Sequence, residues 1–167
     1  MPVLQGTMNA DGKHFAVIVS RWNEFVTREL LNGAVETLQQ HGAGEPLVVW
    51  VPGTWEIPPV AARVLHEGID GVIALGCILQ GATSHAQLLA ADVSRALMEL
   101  QVASGRPVAW GILTPESGEQ AVERAGMKLG NKGREAALAA IELASVLDAL
   151  TAKEETKASP SADSGVI

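Results

Sequence analysis

Tyrosine is absent from this chain, and phenylalanine occurs only as Phe15 and Phe25. Its aromatic surface is therefore carried mainly by four tryptophans, Trp22, Trp50, Trp55 and Trp110. Cysteine is almost missing too. Cys77 alone cannot close an internal disulfide, and a thiol inside an apolar run suits a reducing cytoplasm, which is the expected location. Cationic residues are few: 12 Lys and Arg stand against 19 Asp and Glu, for a formal net charge of −7. That balance gives nucleic-acid binding no electrostatic support. No stretch of about 18 apolar residues appears, so no membrane span is expected. The start, Met1 to Gln5, lacks the basic and apolar regions of a signal peptide. His14, His41, His66 and His85 are scattered, with no Cys/His pair at ligand spacing, so no metal is expected. Neither a GxGxxG fingerprint nor a Walker lysine is present. No Ser/His/Asp or Cys/His nucleophile arrangement is legible.

What is present is enough for one domain with a substantial core: 167 residues, 47% of them hydrophobic. The chain is organised around Gly71 to His85. Val72 to Leu79 is an apolar run broken only by Gly76, the pattern of a strand covered on both faces. Gln80 and Gly81 end it. Ala82, Thr83 and Ser84 then offer hydroxyl caps to a long helical pattern. A strand end that opens through small residues onto a helix start presents free N–H groups and the positive end of a dipole, an anion site. His85 lies in the first turn of that helix, beside the site, where proton transfer is plausible chemistry.

The remaining pattern is an alternation. Residues 1–13 read as an N-terminal arm or a short edge strand. Strands are expected at Phe15–Ser20, Leu47–Val51 and Val108–Leu113. Helices are expected at Glu24–Gln40, with Phe25, Leu30, Leu31, Ala34, Val35 and Leu38 near a 3.6 period, and at Trp55–His66 with Pro58 and Pro59 in the first turn. Further helices are expected at about Ser84–Ala103, Gly118–Ala125 and Arg134–Leu150, with a Gly/Lys/Asn-rich loop over 126–133. Residues 151–167 are polar and read as a disordered C-terminal tail. The order implies a three-layer α/β domain over 14–150: a four-stranded parallel sheet with helices on both faces, flavodoxin-like. Ligands in such sheets bind beyond the carboxyl ends of the strands. Four loops qualify: Arg21–Asn23, Pro52–Glu56, Gln80–His85 and Thr114–Ser117.

Trp22 and Trp55 fall in those loops, and Trp110 sits near the end of the last strand. Each can be a stacking platform for a flat ring, or a cover for a helix end or an oligomer contact. Asn23 and Glu56 can bond the edge of such a ring, or serve as a helix cap and a first-turn acid. Arg124, Lys128 and Lys132 can hold a phosphate, or belong to a solvated loop. Cys77 reads as a small buried hydrophobe.

Several segments together resemble the 6,7-dimethyl-8-ribityllumazine synthase family. They are Trp22-Asn23, Pro52-Gly-Thr-Trp-Glu-Ile-Pro58, Gly81-Ala-Thr-Ser-His85, and Glu119 to Gly126 followed by Lys128 and Gly130-Asn-Lys-Gly133. The resemblance covers about residues 12–148. It implies a transferase of riboflavin biosynthesis that joins 5-amino-6-(D-ribitylamino)uracil to 3,4-dihydroxy-2-butanone 4-phosphate without cofactor or metal. It further implies residue roles. Trp22 stacks on the pyrimidine. Thr54, Trp55 and Glu56 line its pocket, and Cys77, Ile78 and Leu79 contact it through backbone. Ala82, Thr83 and Arg124 hold the phosphate, and His85 transfers protons. Trp110, where the family usually has Phe, and Arg124 are implied to arrive from a neighbouring subunit of a pentamer. Twelve pentamers can form a 60-subunit icosahedral shell, and the short Gly126–Lys132 segment permits it. Gln80 departs from a common Arg, and Ala86-Gln-Leu-Leu89 from a more aromatic run. Two other readings fit the same residues: a catalytically silent shell protein and a flavin-binding module.

Overall fold

In the computed structural model, four strands form one parallel sheet: β1 (Phe15–Ser20), β2 (Leu47–Val51), β3 (Gly71–Cys77) and β4 (Val108–Leu113), in the order β2-β1-β3-β4. Residues 1–81 and 83–158 are described, of 157 and 158 only the backbone. The Ala82 position falls outside the described residues. The two central strands are buried at every residue. Their side chains divide by parity, as the period of a strand requires. Phe15, Val17 and Val19 with Ile73 and Leu75 face one side, where they pack with Leu30 and Leu38 of α1 (Glu24–Gln40) and Ile141 of α5 (Lys132–Ala158). Ala16, Ile18, Val72 and Ala74 face the other, against Ile57 and Ala61 of α2 (Ile57–His66) and Val93 and Leu97 of α3 (His85–Ser104). The fold is thus the three-layer, flavodoxin-like α/β architecture read from the sequence. A single 3-10 turn, Thr54–Glu56, precedes α2, so that helix begins later than the Trp55 start expected of it.

Three differences are informative. Phe25 is 63% exposed, and the buried stripe of α1 runs through Val26, Leu30, Ala34 and Leu38 instead. The four-residue spacing fixes that face, and Phe25 falls one position off it. The 126–133 segment is not a plain loop. After the short helix α4 (Gly118–Arg124), β5 (Ala125–Met127) and β6 (Gly130–Asn131) pair antiparallel. Gly126 and Gly130 take positive φ there, which glycine alone adopts without strain. The tail reading also fails in part: α5 continues through residues 151–158. Ala, Lys and Glu are strong helix formers, and extending a helix already nucleated by packing carries no nucleation penalty. The rest of that tail, 159–167, lies outside the described residues. The N-terminal arm runs along α5 without forming a strand. Ala10 is buried, and the Thr7 N–H donates to Ser145 Oγ at 2.7 Å.

The α1·α5 contact positions the far end of the molecule. A Cβ built on Gly133, in the first turn of α5, would overlap the Leu30 carbonyl of α1. Gly133→Ala is therefore expected to lower unfolding free energy by about 1–3 kcal/mol through overpacking. Helix propensity alone would raise it by up to about 1 kcal/mol. The sign of the shift in the urea midpoint distinguishes the two.

Candidate functional site

The carboxyl ends of β1, β2 and β3 and the start of α3 enclose a cavity of about 340 Å³. Its walls come from four separated segments. Trp22 follows β1, and Thr54 and Trp55 follow β2. Ile78 and Leu79 follow Cys77 at the end of β3, and His85 opens α3. Trp22 and Trp55 are 73% and 60% exposed, so both indoles offer uncovered ring faces at the mouth. Thr54 is buried, with its methyl seated where a side chain on Gly76 would be. The absence of a Cβ at Gly76 lets the 54–56 turn lie directly on the strand. Pro58 and Pro59 set the start of α2 without losing helix hydrogen bonds, because the first turn has no use for their missing N–H groups.

Asn23 ties two of these segments together. Its backbone is left-handed, at φ 61° and ψ 46°, and its Nδ2 donates to the Cys77 carbonyl at 2.9 Å. It does not cap α1 through its side chain, and its amide is engaged inside the protein. The Trp22 loop is thereby tied to the last residue of β3. At α3 the expected hydroxyl cap is also missing: Ser84 makes no capping hydrogen bond. Thr83 and His85 are exposed there. The first N–H groups of this helix have no intrahelical acceptor, as at any helix start, and its first residues, His85 and Ala86, line the cavity.

The sequence-derived residues do not all converge. Glu56 does not line this cavity but an adjoining groove, with Trp55, Pro58, Pro59 and Asp92. Thr83 lies near the mouth but does not line it. Trp110 and Arg124 line a different cavity of about 310 Å³, at the free edge of β4. The two cavities share no lining residue. Lys132 and Glu135 join the second one, 2.7 Å apart as an ion pair. Glu135 went unremarked in the sequence, where it reads as an ordinary first-turn acid of α5. Its i,i+3 spacing from Lys132 was the available signal. Arg124 makes no ion pair among the described residues. Nor do the described residues hold a group of three or more His, Cys, Asp or Glu placed to bind a metal ion. None of their helices is long and apolar enough to cross a membrane.

Burial pushes the Cys77 thiol from 9.0 up to about 11. A thiol held neutral at that strand end contributes shape to the cavity wall and no nucleophile. The sign of the pH effect follows. Below pH 9 the thiol is protonated in folded and unfolded chains alike, and stability carries its full value. Above it the unfolded chain ionises first, so stability falls as pH rises from 9 to about 11, by roughly 2–3 kcal/mol in all. Urea midpoints across that window should fall in the wild type and flatten in Cys77→Ala. An identical slope in both would remove the desolvated thiol from the account.

A cavity walled by two tryptophans beside a histidine at a helix start, and a second with arginine and lysine at a free sheet edge, is a recognisable pairing. A family model for 6,7-dimethyl-8-ribityllumazine synthase matches residues 12–148, the whole sheet and every segment just described. The chain belongs to the 6,7-dimethyl-8-ribityllumazine synthase family, enzymes of riboflavin biosynthesis.

Proposed function

We propose that this protein condenses 5-amino-6-(D-ribitylamino)uracil with 3,4-dihydroxy-2-butanone 4-phosphate to give 6,7-dimethyl-8-ribityllumazine, phosphate and water. The observation that carries the reading is the convergence of Trp22, Thr54, Trp55, Ile78, Leu79 and His85 on one cavity from four segments. A planar pyrimidine suits the exposed indole faces. Backbone groups of Cys77, Ile78 and Leu79 suit its polar edge and the ribityl chain. The free N–H groups of α3, with Ala82 and Thr83, suit a phosphate.

The steps follow from these placements. The 5-amino group attacks the ketone carbonyl and water leaves, giving an imine. Phosphate is then expelled, and the ring closes by attack of the ribitylamino nitrogen with loss of a second water. His85, exposed at the first residue of α3, is within the cavity and serves the proton transfers. No cofactor enters. Holding two reactants in register supplies most of the acceleration, since well-oriented reactions gain about 7–11 kcal/mol from proximity.

Trp110 and Arg124 complete the site from a second copy of the chain. Two observations support this. Both residues lie apart from the His85 cavity on their own chain, at the unpaired edge of β4. Trp22, Phe25, Leu88, Met98 and Val102 are also exposed, large apolar side chains available to a second copy. The assembly is a homo-oligomer, a pentamer by family resemblance, with the 60-subunit shell as its larger form and the cytoplasm as its location.

Mixing both substrates with purified protein tests the reaction through lumazine fluorescence, and absence of product above the buffer rate would refute it. His85→Ala should lower kcat by about a hundred- to ten-thousand-fold while still forming product. Arg124→Ala should chiefly raise KM for the phosphate-bearing ketone. An unchanged KM would remove Arg124 from the phosphate.

A further inference from the structure

Asn131 belongs to no cavity wall near His85 and carries no charge, yet three backbone groups from three elements converge on its amide. Its Nδ2 donates to the Glu29 carbonyl of α1 at 2.9 Å and to the Ala125 carbonyl of β5 at 3.0 Å. Its Oδ1 accepts from the Arg134 N–H of α5 at 3.1 Å. Few side chains can do this: only a carboxamide offers two donors and an acceptor on one short, planar group. The surroundings are shaped to it. A Cβ on Gly33 of α1 would come within 2.5–2.6 Å of the amide atoms. Gly33 thus leaves the space that Asn131 fills, in the middle of a helix where glycine is otherwise unfavourable by about 1 kcal/mol.

Ala125, whose carbonyl Asn131 holds, follows Arg124 directly. Arg124 ends α4, a short helix seated on the core by the fully buried Ala121 and continued by this hairpin, and it is exposed without an ion pair among the described residues. Nothing at the guanidinium itself fixes its direction. The placement of Arg124 is therefore set by its backbone: Ala121 anchors the helix in the core three residues before it, and Asn131 pins the residue after it to α1 and α5. We propose that Asn131 is a positioning residue for Arg124: it sets the arginine's placement for the phosphate of the ketone substrate without touching that substrate. This rests on the reading of Arg124 given above. The Leu129 N–H also donates to the Glu123 carbonyl of α4 at 3.1 Å, and Ala121 lies in the core, so the segment stays attached when Asn131 is removed.

Two variants attack the same junction by different routes. Asn131→Ala deletes the amide. Gly33→Ala keeps it and crowds it, while helix propensity alone would make that change stabilising. Each is measured as the assembled protein, with native mass and circular dichroism confirming the fold, for inorganic phosphate affinity by calorimetry and for KM of each substrate. Both variants should weaken phosphate and raise KM for the phosphorylated ketone by about tenfold, less than the hundredfold that a misplacement of about 1 Å can cost. KM for the pyrimidine should hold. In an Arg124→Ala background neither change should add a further loss, because residues acting through one another are not additive.

Unchanged phosphate affinity in either folded variant, an equal rise in both KM values, or a full extra loss on top of Arg124→Ala would overturn the assignment. If Asn131→Ala does not fold, Gly33→Ala and its double variant decide alone. Should the wild type bind phosphate through Arg124 yet make no lumazine, the proposed reaction fails while the phosphate measurements still judge Asn131. Phosphate binding indifferent to Arg124→Ala would overturn the positioning role outright.

Discussion

Seven consecutive buried residues, Gly71–Cys77, run between β1 and β4 and pair in parallel register with both. A strand enclosed on both faces and both edges allows no slip of register, since a one-residue shift would exchange its two packed faces. Every candidate functional segment is measured from that fixed point. The 54–56 turn lies on Gly76. Asn23 reaches the carbonyl of Cys77. The Ile78 N–H donates to the Leu113 carbonyl, and the Gln80 N–H to that of Pro115, which carries the strand's direction out toward α3. The cavity walls are extensions of a ladder, with loops tied to it by hydrogen bonds and close contact.

The cavity lined by Trp110 and Arg124 is held by different physics. Arg124 sits on the short helix α4 and Lys132 is the first residue of α5, both outside the hydrogen-bonded ladder of the sheet. Close helix packing substitutes for it: Gly33 and Gly133 let α1, α5 and the β5–β6 hairpin approach until backbone and amide meet. Aromatic and apolar walls therefore gather where the ladder is strongest, and cations gather where glycine and one carboxamide make the junction. That division fits a site in which a flat ring is gripped by one copy and a phosphate is answered by the next.

The strands were legible because continuous apolar runs bounded by glycine have few other uses, and their carboxyl ends follow from a parallel order. Trp22, Thr54, Trp55 and His85 could be placed at one rim for the same reason. Other features were hidden by distance along the chain. Asn23 and Cys77 are 54 residues apart, and Asn131 and Glu29 are 102 apart. Local pattern carries no information on such contacts, so Asn23 read as a cap and Asn131 as part of a loop. Phe25 falls outside the buried stripe because one residue along a helix is a rotation of about 100°, enough to carry a side chain from core to solvent. Glu56 occupies the expected loop, yet the direction of its side chain depends on the 3-10 turn and not on its spacing. The helix over 151–158 was missed because composition suggested solvation, and solvated residues extend a packed helix as readily as they form coil.

The proposed division of the site between copies can be measured directly. One preparation carries Arg124→Ala; the other carries Trp22→Ala and His85→Ala together. Each alone has one damaged half in every site. After unfolding, mixing in equal amounts and reassembly, about a quarter of the sites should pair two intact halves if each site joins one copy to the next in a ring. Lumazine formation recovering toward that share is the result predicted here. A mixture no more active than its two parents, assembled to the same native mass, would place both halves on one chain and contradict the account.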